Sequence, residues 1–126
     1  MIEYSYQQKL AIMRIMLDII NADGIIDERE EFFFNELKEL FGLTDEDYEL
    51  VKQKNSLIAL LQIRNFTEEQ KMGMALYMSK MIVVDKDINA NELAIYSVVS
   101  EFCGIEKGFE ENFTPDELET FSHSGE

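Results

Sequence analysis

Two short acidic stretches, 62 positions apart, carry the side chains in this sequence that are best suited to chemistry. These side chains are Asp23, Asp27 and Glu30 in the first stretch, and Asp85, Asp87, Asn89 and Glu92 in the second. Carboxylate and amide oxygens are the ligands that hard divalent cations such as Ca²⁺ prefer. The spacing therefore predicts a site for Ca²⁺ or another divalent cation, within one loop or shared between the two.

The same residues also fit a purely structural role at the starts of two helices. Asp27 and Asn89 are typical N-cap residues, and each is followed three positions later by a glutamate, as in a capping box. Asp23 would then be a turn former. The sequence leaves both interpretations open, a cation site and a pair of helix caps.

An EF-hand is excluded, although Asp85, Asp87 and Asn89 have its opening spacing. That loop requires glycine at its sixth position and glutamate at its twelfth, and these positions hold Ala90 and Tyr96. Any ion would be bound by a shorter loop.

The chain offers few other groups for chemistry. His123 is the only histidine and Cys103 the only cysteine, and no phosphate-binding loop or nucleophile elbow occurs. Met74, Met78 and Met81 repeat at helical spacing, and we interpret this row as core packing rather than a Cu(I) site. We therefore expect a binding or scaffold protein and not an enzyme.

The elements that position the acidic stretches are predicted to be helices. Apolar residues recur at helical spacing, as at Leu10, Met13 and Leu17, and Gly42 and Gly104 follow apolar helix ends as C-terminal caps. The predicted helices lie near residues 6–21, 28–41, 45–62, 68–83 and 90–103, with a short sixth helix starting at Pro115.

A shift of 62 positions superimposes two copies of a helix-turn-helix unit. Matching positions include Ser5 with Thr67, Gln8 with Gln70, Ile26 with Ile88, Asp27 with Asn89, Glu30 with Glu92 and Gly42 with Gly104. Ile26 and Ile88 precede the caps and are expected to point inward as anchors. We predict an all-α, single-domain bundle of about five to seven helices built from two tandem repeats, about 5–43 and 67–105, within a domain 1–121 followed by a flexible tail 122–126.

The charge balance limits the partners. With 11 lysines and arginines against 26 aspartates and glutamates, the formal net charge is −15, which repels nucleic acid and anionic membrane surfaces and attracts cations or a basic protein partner. No basic leader and no long apolar run occurs, so a cytoplasmic protein is the default expectation.

The first loop also resembles a known family motif. The stretch Ala22-Asp23-Gly24-x-Ile26-Asp27-x-x-Glu30, followed by a Phe- and Leu-rich helix ending at Gly42, resembles the tellurite-resistance TerB-like family, which is also related to the N-terminal domain of some DnaJ-like co-chaperones. The resemblance extends over about residues 5–105.

This resemblance implies a duplicated helical bundle whose clustered acids bind a divalent cation, in a stress-related or regulatory setting. The second loop keeps Asp85, Ile88 and Glu92, but has Lys86 where the family favours glycine and Asn89 in place of an acid. The alternative is a protein-interaction domain whose acidic loops are only caps and whose methionine or phenylalanine surface docks a partner.

Overall fold

Six α-helices account for most of residues 2–84 and 88–105, the part of the chain that this computed structural model describes. They are α1 (Tyr6–Ile20), α2 (Glu28–Leu40), α3 (Asp45–Gln53), α4 (Ser56–Arg64), α5 (Glu68–Val83) and α6 (Ala90–Cys103). No strand occurs among these residues, so the predicted all-α bundle is confirmed. No helix within these residues has both the length and the apolar character of a membrane-spanning segment. The helix predicted at Pro115 and the tail 122–126 lie outside the described residues.

The prediction of one continuous helix over 45–62 is wrong, because the chain forms two helices there. The Asn55 side chain accepts hydrogen bonds from the backbone N–H groups of Leu57 and Ile58 and so caps a new helix, α4. Lys54 is extended and ends α3. Asparagine favours caps over helix interiors because its side chain competes for nearby backbone groups, and the sequence prediction overlooked this signal.

Helix α1 is the centre of the bundle and packs against the other five helices. Eight of its 15 residues are buried, in the run from Leu10 to Ile20. Met74, Met78 and Met81 of α5 are fully buried beside it, which confirms their prediction as core residues. Cys103 is also in the core, as expected, and its thiol donates to the Leu60 carbonyl.

The two helix pairs α1–α2 and α5–α6 begin with the same local structure. Ser5 and Thr67 each form a complete capping box, with Gln8 and Gln70 respectively at N3. These two glutamines also meet each other, since Gln70 Nε2 lies 3.1 Å from Gln8 Oε1. Corresponding positions of the two helix pairs are thus in direct contact at one end of the bundle.

The ends of α2 and α6 also correspond. Gly42 and Gly104 follow them with φ of 71° and 70°, in the left-handed conformation that glycine adopts without strain. The predicted C-terminal caps are confirmed. Helices α2 and α6 therefore each follow an acidic loop and are each followed by a glycine.

Candidate functional site

The first acidic loop joins α1 to α2 and is held by its own aspartates. Asp23 Oδ1 accepts a hydrogen bond from Ile25 N at 3.0 Å, and Gly24 follows Asp23 with φ of 77°. Asp27 Oδ1 accepts from Arg29 N at 2.8 Å and caps α2. The predicted turn-forming and capping roles of Asp23 and Asp27 are confirmed.

The cap also affects ionisation. Partial burial of Asp27 opposes charge, but hydrogen bonds and the positive charge from Arg29 outweigh it and lower the pKa of Asp27. Asp27 therefore remains an anionic oxygen donor at neutral pH.

The expectation that Ile26 and Ile88 are inward anchors is wrong. Ile26 is 53% exposed and Ile88 39% exposed. Ile20 and Phe34 already fill the core next to Ile26, which instead borders a pocket of about 280 Å³ between α1, α2 and α3. The rim of the acidic loops is consequently apolar and accessible.

Glu30 and Glu92 are the most deeply buried charged residues among those described, each with 1% of its surface exposed. They occupy equivalent positions, the third residue of α2 and of α6. Ionised side chains are rarely buried to this depth, because desolvation is costly. Capping accounts for Asp27 and Asn89 but not for the depth of these two glutamates.

The two loops meet at Asn89. Its side-chain oxygen accepts from Asn91 N at 2.8 Å and Glu92 N at 3.2 Å, which caps α6. Its side-chain nitrogen donates to Asp23 Oδ2 at 3.0 Å, across to the first loop. Both polar atoms of this amide are thus engaged, one in each loop.

The structure therefore brings together part of the predicted set. Asp23 and Asn89 are in contact, while Glu30 and Glu92 are buried at the starts of α2 and α6. Asp85 and Asp87 lie outside the described residues. Within residues 2–84 and 88–105, no three His, Cys, Asp or Glu side chains are grouped closely enough to hold a metal ion.

Sequence reasoning missed two features of this site. The link between Asn89 and Asp23 had no signal beyond the alignment of Asn89 with Asp27. The burial of Glu30 and Glu92 did have a signal in the sequence, because glutamate recurs at these two positions, 62 residues apart, while the neighbouring residues differ. Capping boxes explain this repetition without requiring burial, which is why the pattern does not by itself predict it.

Comparisons with known proteins agree with this fold. Residues 1–53 match the family model described as tellurite resistance protein TerB. A crystal structure from Porphyromonas gingivalis W83, described as a protein of unknown function, is similar with a TM-score of 0.69 and 25% sequence identity, over 98% of this chain and 99% of that chain. No curated protein matches the chain. The matched family region includes the whole first acidic loop, and the predicted resemblance to the TerB family is thereby confirmed through residues 1–53.

Proposed function

We propose that this protein is a non-enzymatic TerB-like module that binds a divalent cation where its two acidic interhelical loops meet, in a stress-related or regulatory role. The observation that carries the proposal is the burial of Glu30 and Glu92 at equivalent positions of two helices. A second supporting observation is the hydrogen bond between Asn89 and Asp23, which joins the two loops.

Electrostatics favour a cation at this point. Asp23 and Asp27 contribute carboxylates at the surface of the first loop, and Glu30 lies deeper on the same helix start. In a chain with a net charge of −15, a bound divalent ion offsets local repulsion between these acids. Binding to the native state alone then stabilises the fold in proportion to occupancy.

The available ligands indicate the class of ion. Asp23, Asp27, Glu30 and Glu92 offer oxygen ligands only, the type that Ca²⁺ takes, and Asp85 and Asp87 of the second loop offer more. In this arrangement Asn89 holds the loops together and leaves the ligation to carboxylates. Cys103, a soft ligand, is at the opposite end of α6, about 20 Å from the loops. Hard cations are therefore favoured over thiophilic ones.

Thermal unfolding of the full chain tests the proposal. The wild-type protein is melted in chelator and then with increasing Ca²⁺, Mg²⁺ or Mn²⁺. At a free ion concentration about one hundred times the Kd, the midpoint should rise by about 10 °C. The variant Asp23→Asn combined with Asp85→Asn should lose most of this rise.

A matched control removes the same charge elsewhere. Glu39 and Glu101 are exposed, lie 62 positions apart and belong to the far ends of α2 and α6. Replacing both with glutamine should leave the ion-dependent rise unchanged. A midpoint that does not respond to millimolar ion, or that responds equally in both double variants, would refute a site at the loops.

A second candidate function is a protein-interaction domain in which the loops serve only as caps. It is favoured by the observed capping of α2 by Asp27 and of α6 by Asn89. Of the proposed docking residues, the methionine row of α5 is buried, whereas Phe32 is exposed on α2. In this case no divalent ion changes the midpoint, and a basic partner protein binds with an affinity that falls as salt increases.

A further inference from the structure

Helices α4 and α6 carry adjoining apolar residues on their outer sides, here called the α4–α6 face. Leu57 is 59% exposed and Val98 57% exposed, and Ile58, Leu61 and Phe102 are also exposed. Apolar side chains exposed side by side in this way, rather than scattered singly, are typical of a surface that binds another segment.

The α4–α6 face contains a groove with a defined direction. A cavity of about 330 Å³ opens between the helices and is lined by Ser56 and Leu60 of α4 and by Ala94, Ile95 and Val98 of α6. The two helices run parallel, because Ser56 and Ala94 lie at one end while Arg64 stacks 5.4 Å from the Phe102 ring at the other. The eight residue positions between these ends span about 12 Å.

The chain leaves α6 at the Arg64 end of this groove. Gly104 turns the backbone with φ of 70°, and Ile105 is buried, with its N–H donating to Ser100 O at 2.9 Å. Ile105, the last residue described, therefore lies at this end of α6, and the 21 residues that follow it in the sequence are more than enough to extend along the groove.

The composition of residues 106–126 complements this face. Four large apolar residues are present, and they are Phe109, Phe113, Leu118 and Phe121. The segment also carries seven acidic residues and one lysine. At the end of α6, Arg64 lies on Phe102 and Lys71 lies beside Gly104, so two cationic side chains lie at this end of the groove.

We propose that residues 106–126 are the occupant of the α4–α6 face, with their aromatic residues in the groove and their acids near Arg64 and Lys71. Covalent attachment at Ile105 gives the segment a high effective concentration at the groove. A second copy of the chain is the poorer occupant, because each copy carries a net charge of −15 and repels the other.

The test uses the full chain with a nitroxide attached through Ser122→Cys. Cys103 is 1% exposed and does not compete for the label. In NMR spectra, the nitroxide should broaden the methyl signals of Leu61 and Val98 so that they lose at least half of their intensity. The methyl signals of Leu40, which is exposed on α2, should not lose intensity. Val98→Glu should restore the Leu61 signal at least twofold, and Leu40→Glu should leave it broadened.

The control sample mixes two kinds of chain. One carries the nitroxide but no isotope and gives no methyl signal, and the other carries the isotope but no nitroxide. Loss of the Leu61 signal in this mixture would mean that a second copy occupies the face, which overturns the proposal. Unchanged Leu61 and Val98 signals in the labelled chain, or equal losses at Leu40, would overturn it as well.

Discussion

At the scale of single residues, Asn89 shows how one side chain serves both loops. Its amide oxygen caps α6 and its amide nitrogen binds Asp23 of the first loop. An aspartate could act as the cap equally well, but it could not donate to Asp23. The amide is therefore suited to holding two acidic loops together when no cation is present.

Replacing Asn89 with aspartate should reveal this role. In chelator, Asn89→Asp loses the hydrogen bond and places two carboxylates together, which should cost about 1–2 kcal/mol of unfolding free energy. With divalent ion present, the extra carboxylate should make the rise of the melting midpoint larger than in the wild type. Asn89→Ser, which keeps a cap without added charge, is the control. Equal ion responses in both variants would contradict the argument.

A second residue, Cys103, links burial to the pH dependence of stability. Burial raises the pKa of the Cys103 thiol to about 11 from its ordinary value of 9.0. Between these values the unfolded chain releases the proton and the folded chain keeps it, so stability present below pH 9 is lost as the pH rises. From about pH 8.5 to 10, denaturant unfolding should show a loss of about 1 kcal/mol. Cys103→Ala should show a shallower loss, and the same slope in both proteins would contradict this assignment.

At the scale of helices, the break between α3 and α4 is held from α1. Arg14 Nη1 donates to Lys52 O at 2.9 Å at the end of α3, and Asp18 Oδ2 accepts from Ser56 Oγ at 2.6 Å at the start of α4. Arg14 and Asp18 also form an ion pair with each other. Two residues one turn apart on α1 thus hold both ends of the break.

Removing Arg14 should therefore destabilise the bundle through α3 and α4. Arg14→Leu deprives a carbonyl at the end of α3 of its donor and leaves Asp18 without its cation, at an expected cost of about 2–3 kcal/mol in denaturant unfolding. Lys52→Leu is the matched control, because it breaks only exposed contacts, the ion pair with Glu49 and the approach of the ammonium to the Tyr48 ring at 5.0 Å, and should cost less than about 1 kcal/mol. An equal loss of unfolding free energy in the two variants would show that the contacts of Arg14 contribute no more to stability than an exposed lysine does.

At the scale of the whole molecule, the 11 basic side chains can offset only part of the charge of the 26 acidic ones. Ion pairs such as Arg14 with Asp18 and Lys52 with Glu49 join neighbours in sequence and link no distant acidic surfaces. The net charge of −15 thus remains as general repulsion in the compact state.

Salt should consequently stabilise the protein without any specific site. Raising NaCl from about 10 mM to about 300 mM in chelator should increase the melting midpoint by several degrees, because screening weakens the repulsion. The increase should be gradual and should persist in Asp23→Asn combined with Asp85→Asn. A divalent ion bound at the loops would instead saturate at much lower concentration. A midpoint independent of NaCl would contradict this account.

The sequence by itself determined α1, α2, α5 and α6 and their caps, because these depend on local backbone chemistry. Glycine at the ends of α2 and α6, Ser5 and Thr67 at the starts of α1 and α5, and the bounds of α5 and α6 were all predicted from neighbouring residues. The methionine row of α5 was correctly assigned to the core for the same reason, since its helical spacing places it on one side.

Only the tertiary structure decided which polar and apolar groups are buried and which residues distant in sequence meet. Glu30 and Glu92 look like capping-box residues in the sequence and are nearly inaccessible in the fold, whereas Ile26 and Ile88 look like anchors and are exposed. The contact of Asn89 with Asp23 joins residues 66 positions apart, and two side chains of α1 contact the helix ends on either side of the break that Asn55 caps. These outcomes depend on how the remaining helices fill the space around each side chain, which no local pattern specifies.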